Sequence, residues 1–315
     1  MVFPMLVPRR TFLATAAAAG AFLGVGGAAR PGFGAPAEAP PAPADLEVRD
    51  LSVEGIGRRF VLLVPRHLAK GERAPLLILL HGLGETGDPR MGAFAWLERY
   101  GLGTAYDRLR RPPVQGTSKR ADWTDDRVRE VNAALAARPF RGFVIACPYT
   151  LNVGKTANPA KTLDAYAAWI ADVVIPRARS EAPVIPDVAH TAIDGCSLGG
   201  YVGLEVFLRR PDLFAAWGGV QSAFGAHRAA GYADRIEKAL ASQAPRSIPL
   251  HIETSSGDAF REGNTLLSSL LTKKGIANDL RILPGPHDKP WLRESGTLEM
   301  LLWHDRRRAA PPSVP

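Results

Sequence analysis

The chain has 315 residues, 46% of them hydrophobic and 22% charged, with a formal net charge of +8. This is room for one large globular domain or two small ones around a substantial core. The mild basic excess forms no basic stripe with interleaved aromatics, which argues against a nucleic-acid partner.

In chain order, the first segment stands apart from any core. "PRRTFLATAAAAGAFLGVGGAA" places Arg9 and Arg10 before a weakly apolar run rich in alanine and glycine. Basic, then weakly apolar, then small residues is the order of an export signal rather than of a membrane span. The RR-x-F-L pattern resembles the bacterial twin-arginine signal, which implies a periplasmic or secreted protein. Ala35-Pro36-Ala37 offers a cleavage site, so residues 1–37 are expected to be the signal and 38–44 a Pro/Ala linker. No later apolar run is long enough to cross a bilayer.

From residue 45 to the end, one domain is expected. "LEVRDLSVEG" and "RRFVLLVP" read as two strands joined by a turn. "APLLILLHG" and "GFVIACP" are short apolar runs of the kind buried on both faces of a parallel sheet. The helical spacing of "LDAYAAWIADVVIPRA" follows, then the strand "HTAIDG" and the helix "YVGLEVFLRR". Strands "AAWGGVQS", "PLHIETSSGD" and "NDLRILPG" alternate with helices "ADRIEKALAS", "TLLSSLLTKKG" and "TLEMLLWHDRRR". Such alternation predicts an α/β fold, a mainly parallel sheet flanked by helices on both faces. Functional loops then belong at the carboxyl ends of the strands. The tract 85–141 is too long for a plain loop and predicts a helix or two. Its Phe94, Trp96, Leu97, Tyr100 and Tyr106 have spacings compatible with one helical face, either ordinary core or a lid.

The strand "HTAIDG" runs into Gly195-Cys196-Ser197-Leu198-Gly199, which fits G-x-S-x-G between a strand and a helix. In such a turn a serine hydroxyl is lifted above the sheet edge, where a base can reach it. Serine is a poor nucleophile at neutral pH, so it needs an imidazole, and the imidazole an orienting acid. With the order serine, acid, histidine, the candidates after Ser197 are His227, His251, His287 and His304. His251 lies within a strand, His304 in the terminal helix reads as solvated or capping, and His227 precedes the acids that end later strands. His287, on a Gly/Pro-constrained loop after the last strand, is the suitably placed base. Asp258 closes the preceding strand and is the preferred acid over Glu253, Glu262 and Asp288. Asp288 reads as loop-structuring and Asp194 as structural. The developing oxyanion needs fixed amides; Leu198 supplies one, and the His81-Gly82-Leu83-Gly84 turn another, from Leu83. The seven histidines are scattered and show no metal-ligand spacing. Cys147 and Cys196 each end a buried strand and read as free thiols.

The motifs "LLILLHGLGE", "DGCSLGGY", "RRPDLFAAWGGVQS", "ETSSGD" and "LPGPHDKPWLRE" resemble the α/β-hydrolase superfamily. Within it they are similar to the esterase group of esterase D (S-formylglutathione hydrolase), feruloyl and acetyl-xylan esterases and mycobacterial mycolyltransferases. The likeness spans most of the chain from about Leu76. It implies a triad of Ser197, Asp258 and His287, oxyanion donors Leu83 and Leu198, no cofactor, and a small-molecule or carbohydrate ester as substrate. The long tract 85–141 and Cys196 depart from the group's pattern. Acyl transfer to a carbohydrate or lipid hydroxyl uses the same acyl-enzyme and is the second reading. A non-catalytic binding protein on the same scaffold is the third.

Overall fold

The computed structural model describes residues 43–117 and 120–308. The segment expected to direct export, and residues 38–42 of the linker, lie outside them. Among the described residues the eight strands are β1 (Leu46–Ser52), β2 (Arg59–Pro65), β3 (Leu76–Leu80), β4 (Val144–Pro148), β5 (Thr191–Gly195), β6 (Ala216–Val220), β7 (Leu250–Gly257) and β8 (Asp279–Pro286). They form one sheet in the order β1-β2-β4-β3-β5-β6-β7-β8. β2 pairs antiparallel with both β1 and β4, and every pairing from β4 to β8 is parallel.

The central strands are apolar throughout because both faces are covered. Alternate side chains nevertheless separate into two cores, as the period of two requires. Leu76, Ile78 and Leu80 of β3 face one core with Phe60 and Leu62 of β2, while Leu77, Leu79, Val61 and Leu63 face the other. Helices α1 (Pro89–Ala93), α2 (Ala95–Glu98), α3 (Leu102–Arg110) and α4 (Asp125–Ala137) precede β4. α5 (Pro159–Trp169) and α6 (Ile175–Glu181) lead to β5, then come α7 (Leu198–Arg209), α8 (Ala229–Ala241) and α9 (Arg261–Lys273). α10 (Lys289–Trp291) and α11 (Thr297–Arg306) are the last two helices among the described residues. Residues of α5 to α9 fill the first core, and those of α1 to α4 and α11 fill the second. This is the doubly covered, mainly parallel sheet of the α/β-hydrolase fold. Among the described residues no helix is long and apolar enough to cross a membrane.

The tract 85–141 belongs to the second core. Trp96 and Tyr106 are wholly buried, and Tyr100 nearly so. Phe94 and Leu97 are half-buried against the same cluster. The single helical face suggested by their spacing is not formed. The chain breaks into α1, α2 and α3, with Gly101 in the left-handed region at φ 72° between the last two. α2 and α3 each turn an aromatic inward, Trp96 and Tyr106, so packing against the sheet decides the geometry rather than one continuous stripe.

Candidate active site

β3, β5, β7 and β8 end at the same edge of the sheet, and the turns that follow them build one cleft. After β5 the chain enters α7 through Ser197, whose backbone is at φ 54° and ψ −117°. A non-glycine residue there is strained and persists only when its surroundings over-determine it. The surroundings do so. Cys196 N–H donates to Leu80 O, Ser197 N–H donates to Val220 O at 2.9 Å, and Ser197 O accepts from Ala223 N–H. A side chain at Gly195 would put Cβ 2.6 Å from the Gly199 carbonyl carbon and 2.9 Å from Leu80 O. One at Gly199 would collide with the Leu80 carbonyl. The glycines are therefore the condition for β3, β5 and α7 to meet this closely.

His287 follows the end of β8, and its Nε2 lies 3.0 Å from Ser197 Oγ. Its Nδ1 lies 2.7 Å from Oδ1 of Asp258, which follows β7. The Asp258 side chain is fully buried, whereas that of His287 is 29% exposed toward the cleft. Asp258 also accepts from Thr254 Oγ1–H at 2.6 Å and from Phe260 N–H at 2.9 Å. These donors fix the carboxylate so that one oxygen edge meets the imidazole. Phe260 adds an edge-on ring contact to His287 at 5.6 Å.

The other carboxylates lie elsewhere. Glu253 is buried within β7, where desolvation raises its pKa well above the usual carboxylate value. Glu262 is exposed in the first turn of α9. Asp288 caps α10 by accepting from Trp291 N–H and pairs with Arg120, the loop-structuring part expected of it. Of the other histidines, His227 is exposed and His251 is buried against Trp303. His304 is not solvated, as its charged neighbours suggested; it is fully buried and its Nε2 lies 2.9 Å from Asp194 Oδ2. α11 turns this residue inward, and the arginines after it are half-buried, Arg307 donating to His304 Nδ1 and Arg306 and Arg308 to the carbonyls of Arg138 and Gly142.

The turn after β3 carries Leu83 at the start of a 3-10 segment, Leu83–Glu85. Leu198 is the first residue of α7. First-turn amides have no acceptor within their own helix, so both are free of intrahelical bonds. Gly82 N–H, by contrast, donates to Tyr100 Oη at 3.1 Å. His81 staples this turn from below. Its Nδ1–H donates to Gly82 O at 2.8 Å, and its Nε2 accepts from Thr150 N–H at 2.8 Å. Burial lowers the His81 pKa to about 4, and the Thr150 amide already occupies the nitrogen that a second proton would need.

The cleft above these groups has a volume of about 550 Å³ and is mainly apolar, with Leu83 more than half exposed in it. Gln221 lines its floor at φ 49°, and its amide donates to Ser255 Oγ and to Pro286 O beside His287. Thr254 and Gln221 were not singled out in the sequence, and Tyr100 was legible only as a core or lid aromatic. The bonds of Gln221 and Tyr100 reach residues distant in the chain, and no motif announces the Gln221 backbone angle. Cys147 and Cys196 are free and buried, and desolvation raises both thiols well above the ordinary value. Among the described residues no group of histidine, cysteine or carboxylate side chains could hold a metal ion.

No protein-family model and no curated protein matches this chain. Solved structures do match in fold. A ferulic acid esterase is 18% identical with a TM-score of 0.59, over 83% of this chain and 98% of its own. The S-formylglutathione hydrolase of Staphylococcus aureus is 14% identical with a TM-score of 0.57, over 82% and 97%. The feruloyl esterase module from Clostridium thermocellum, a serine-to-alanine mutant complexed with sinapinate, is 12% identical with a TM-score of 0.59, over 86% and 93%. At these identities the likeness establishes the α/β-hydrolase fold.

Proposed function

We propose that the chain is a serine carboxylic-ester hydrolase in which Ser197 is the nucleophile, His287 the general base and acid, and Asp258 the orienting carboxylate. The observation that carries this reading is the unbroken chain from Asp258 through both nitrogens of His287 to the Ser197 hydroxyl, open to a cleft. The names of the matching structures, ferulic acid esterases and an S-formylglutathione hydrolase, support acyl-ester chemistry over other uses of the fold.

In the resting tautomer His287 Nδ1–H donates to Asp258, which leaves Nε2 to accept from Ser197 Oγ–H. As Oγ bonds to the ester carbonyl carbon, its proton passes to Nε2 and the carbonyl electron pair moves onto oxygen. The amides of Leu83 and Leu198 receive that oxyanion, and the positive end of α7 reinforces Leu198. Collapse breaks the bond to the alcohol oxygen, which takes the proton from Nε2. Water then adds to the acyl-enzyme, giving its proton to Nε2, and the acid leaves as Ser197 recovers its hydrogen.

The test is chemical labelling of purified protein. A fluorophosphonate should modify Ser197, and Ser197→Ala should fold normally, escape labelling and lose esterase turnover by about 10⁴-fold or more. Retained turnover in Ser197→Ala would remove this serine from the mechanism.

A further inference from the structure

Three side chains that have no part in the proton relay join the two loops between which an ester would react. Tyr100 stands between α2 and α3, its ring edge-on to Trp96 at 5.2 Å. Its hydroxyl accepts from Gly82 N–H at 3.1 Å and donates to the carboxylate of Glu85. Glu85 is 1% exposed and lies at the end of the Leu83–Glu85 segment. Its other oxygen pairs at 2.7 Å with Nζ of Lys289, two residues beyond His287. A buried carboxylate is tolerated only when paired and hydrogen-bonded, and Lys289 and Tyr100 together meet that requirement.

We propose that Tyr100, Glu85 and Lys289 are positioning residues that hold the Leu83 amide at the oxyanion's place and lock the turn bearing it to the loop bearing His287. This rests on the reading of Ser197 and Leu83 given above. The Tyr100 hydroxyl occupies the Gly82 amide, so Leu83 N–H is the next amide of the turn and the one left for the oxyanion. Glu85 fixes the far end of the same short segment. With both ends held, the intervening amide cannot rotate away, which is what preorganised electrostatic stabilisation demands. Burial keeps the Tyr100 phenol neutral, so it accepts and donates at once. The charge pair with Lys289 makes the separation of the two loops a fixed quantity, because displacing either one strands Glu85 without its cation.

Tyr100→Phe removes one oxygen and keeps the ring on Trp96. With a short-chain ester, kcat should fall by about 10- to 100-fold at nearly constant KM, since a misplaced donor harms the transition state selectively. Affinity for a trifluoromethyl ketone, which forms a tetrahedral adduct on the serine, should fall by a similar factor. Lys289→Met should weaken kcat and ketone affinity in the same way, and Lys289→Arg should restore most of both. Thermal unfolding followed in parallel separates positioning from a loss of folded enzyme. Wild-type kcat and ketone affinity in folded Tyr100→Phe and Lys289→Met would overturn the proposal while Ser197→Ala remained inactive. Turnover in Ser197→Ala would instead overturn the site itself.

Discussion

Two of the histidine–aspartate pairs among the described residues have nearly equal lengths and do opposite things; a third, His190 with Asp187, lies on the surface. His287 meets Asp258 at 2.7 Å, and His304 meets Asp194 at 2.9 Å. The first pair uses Nδ1 toward the acid and leaves Nε2 on the Ser197 hydroxyl. The second uses Nε2 toward the acid, and its Nδ1 accepts from Arg307, a cation with no proton to surrender at neutral pH. His287 opens on the cleft, whereas His304 and Asp194 are wholly buried beneath the rings of Phe143 and Trp303. Asp194 also accepts from Gly195 N–H at 2.6 Å, so the second pair ties α11 to the strand that delivers the serine. A short bond between imidazole and carboxylate therefore does not define a reactive site. The group on the far nitrogen, and access to it, decide.

The largest effect that tests this contrast is on turnover. Asp258→Asn preserves shape but favours the wrong tautomer of His287, and kcat should fall by about 10⁴-fold with little change in stability. If Asp258→Asn were nearly silent while Glu262→Gln or Asp288→Asn was damaging, the acid would be another residue. Next in size is a loss of stability rather than of chemistry. His304→Ala takes the imidazole donor from the buried Asp194 carboxylate, leaves it the Gly195 N–H, and opens a cavity, which together should cost about 3 kcal/mol or more. Denaturant unfolding measures it, and kcat per folded molecule should be close to normal. A large fall in kcat with stability intact would erase the distinction between the two pairs.

The distinction was half legible in the sequence. The central strands β3 and β4 stood out as short apolar blocks, and Ser197 sits in a glycine pattern that sterics alone require. His287 and Asp258 could be chosen because strand ends converge at one edge of a parallel sheet. His304 was misread because three arginines follow it, and sequence proximity to charge says nothing about which way a helix turns. The aromatics of 94–106 were legible as one helical face, core or lid, but not as separate short helices, since the break at Gly101 depends on tertiary packing. The Tyr100–Glu85–Lys289 chain joins positions up to 204 residues apart only through the fold.

The smallest of these effects concerns a third histidine and the pH range in which the scaffold holds. His81 is neutral in the folded protein, its pKa lowered to about 4 by burial. In the unfolded chain it titrates near the ordinary 6.5. Between these values the unfolded state binds a proton that the folded state refuses, so stability falls as the solution is acidified through this window. The contribution is complete above about pH 6.5, is lost by about pH 4, and is of the order of 3 kcal/mol for a shift of this size. Burial lowers the pKa of His304 as well, so the second pair adds to the same acid-side loss rather than opposing it. His81→Gln cannot take up that proton. Although the substitution should lower stability at pH 7 by removing a bond to the Leu83 turn, it should also flatten the slope of unfolding free energy between pH 6.5 and 4. Urea unfolding at half-unit pH steps resolves the difference. An unchanged slope in His81→Gln would mean that His81 takes up its proton alike in the folded and unfolded states, and that the turn is not held by an imidazole kept neutral by burial.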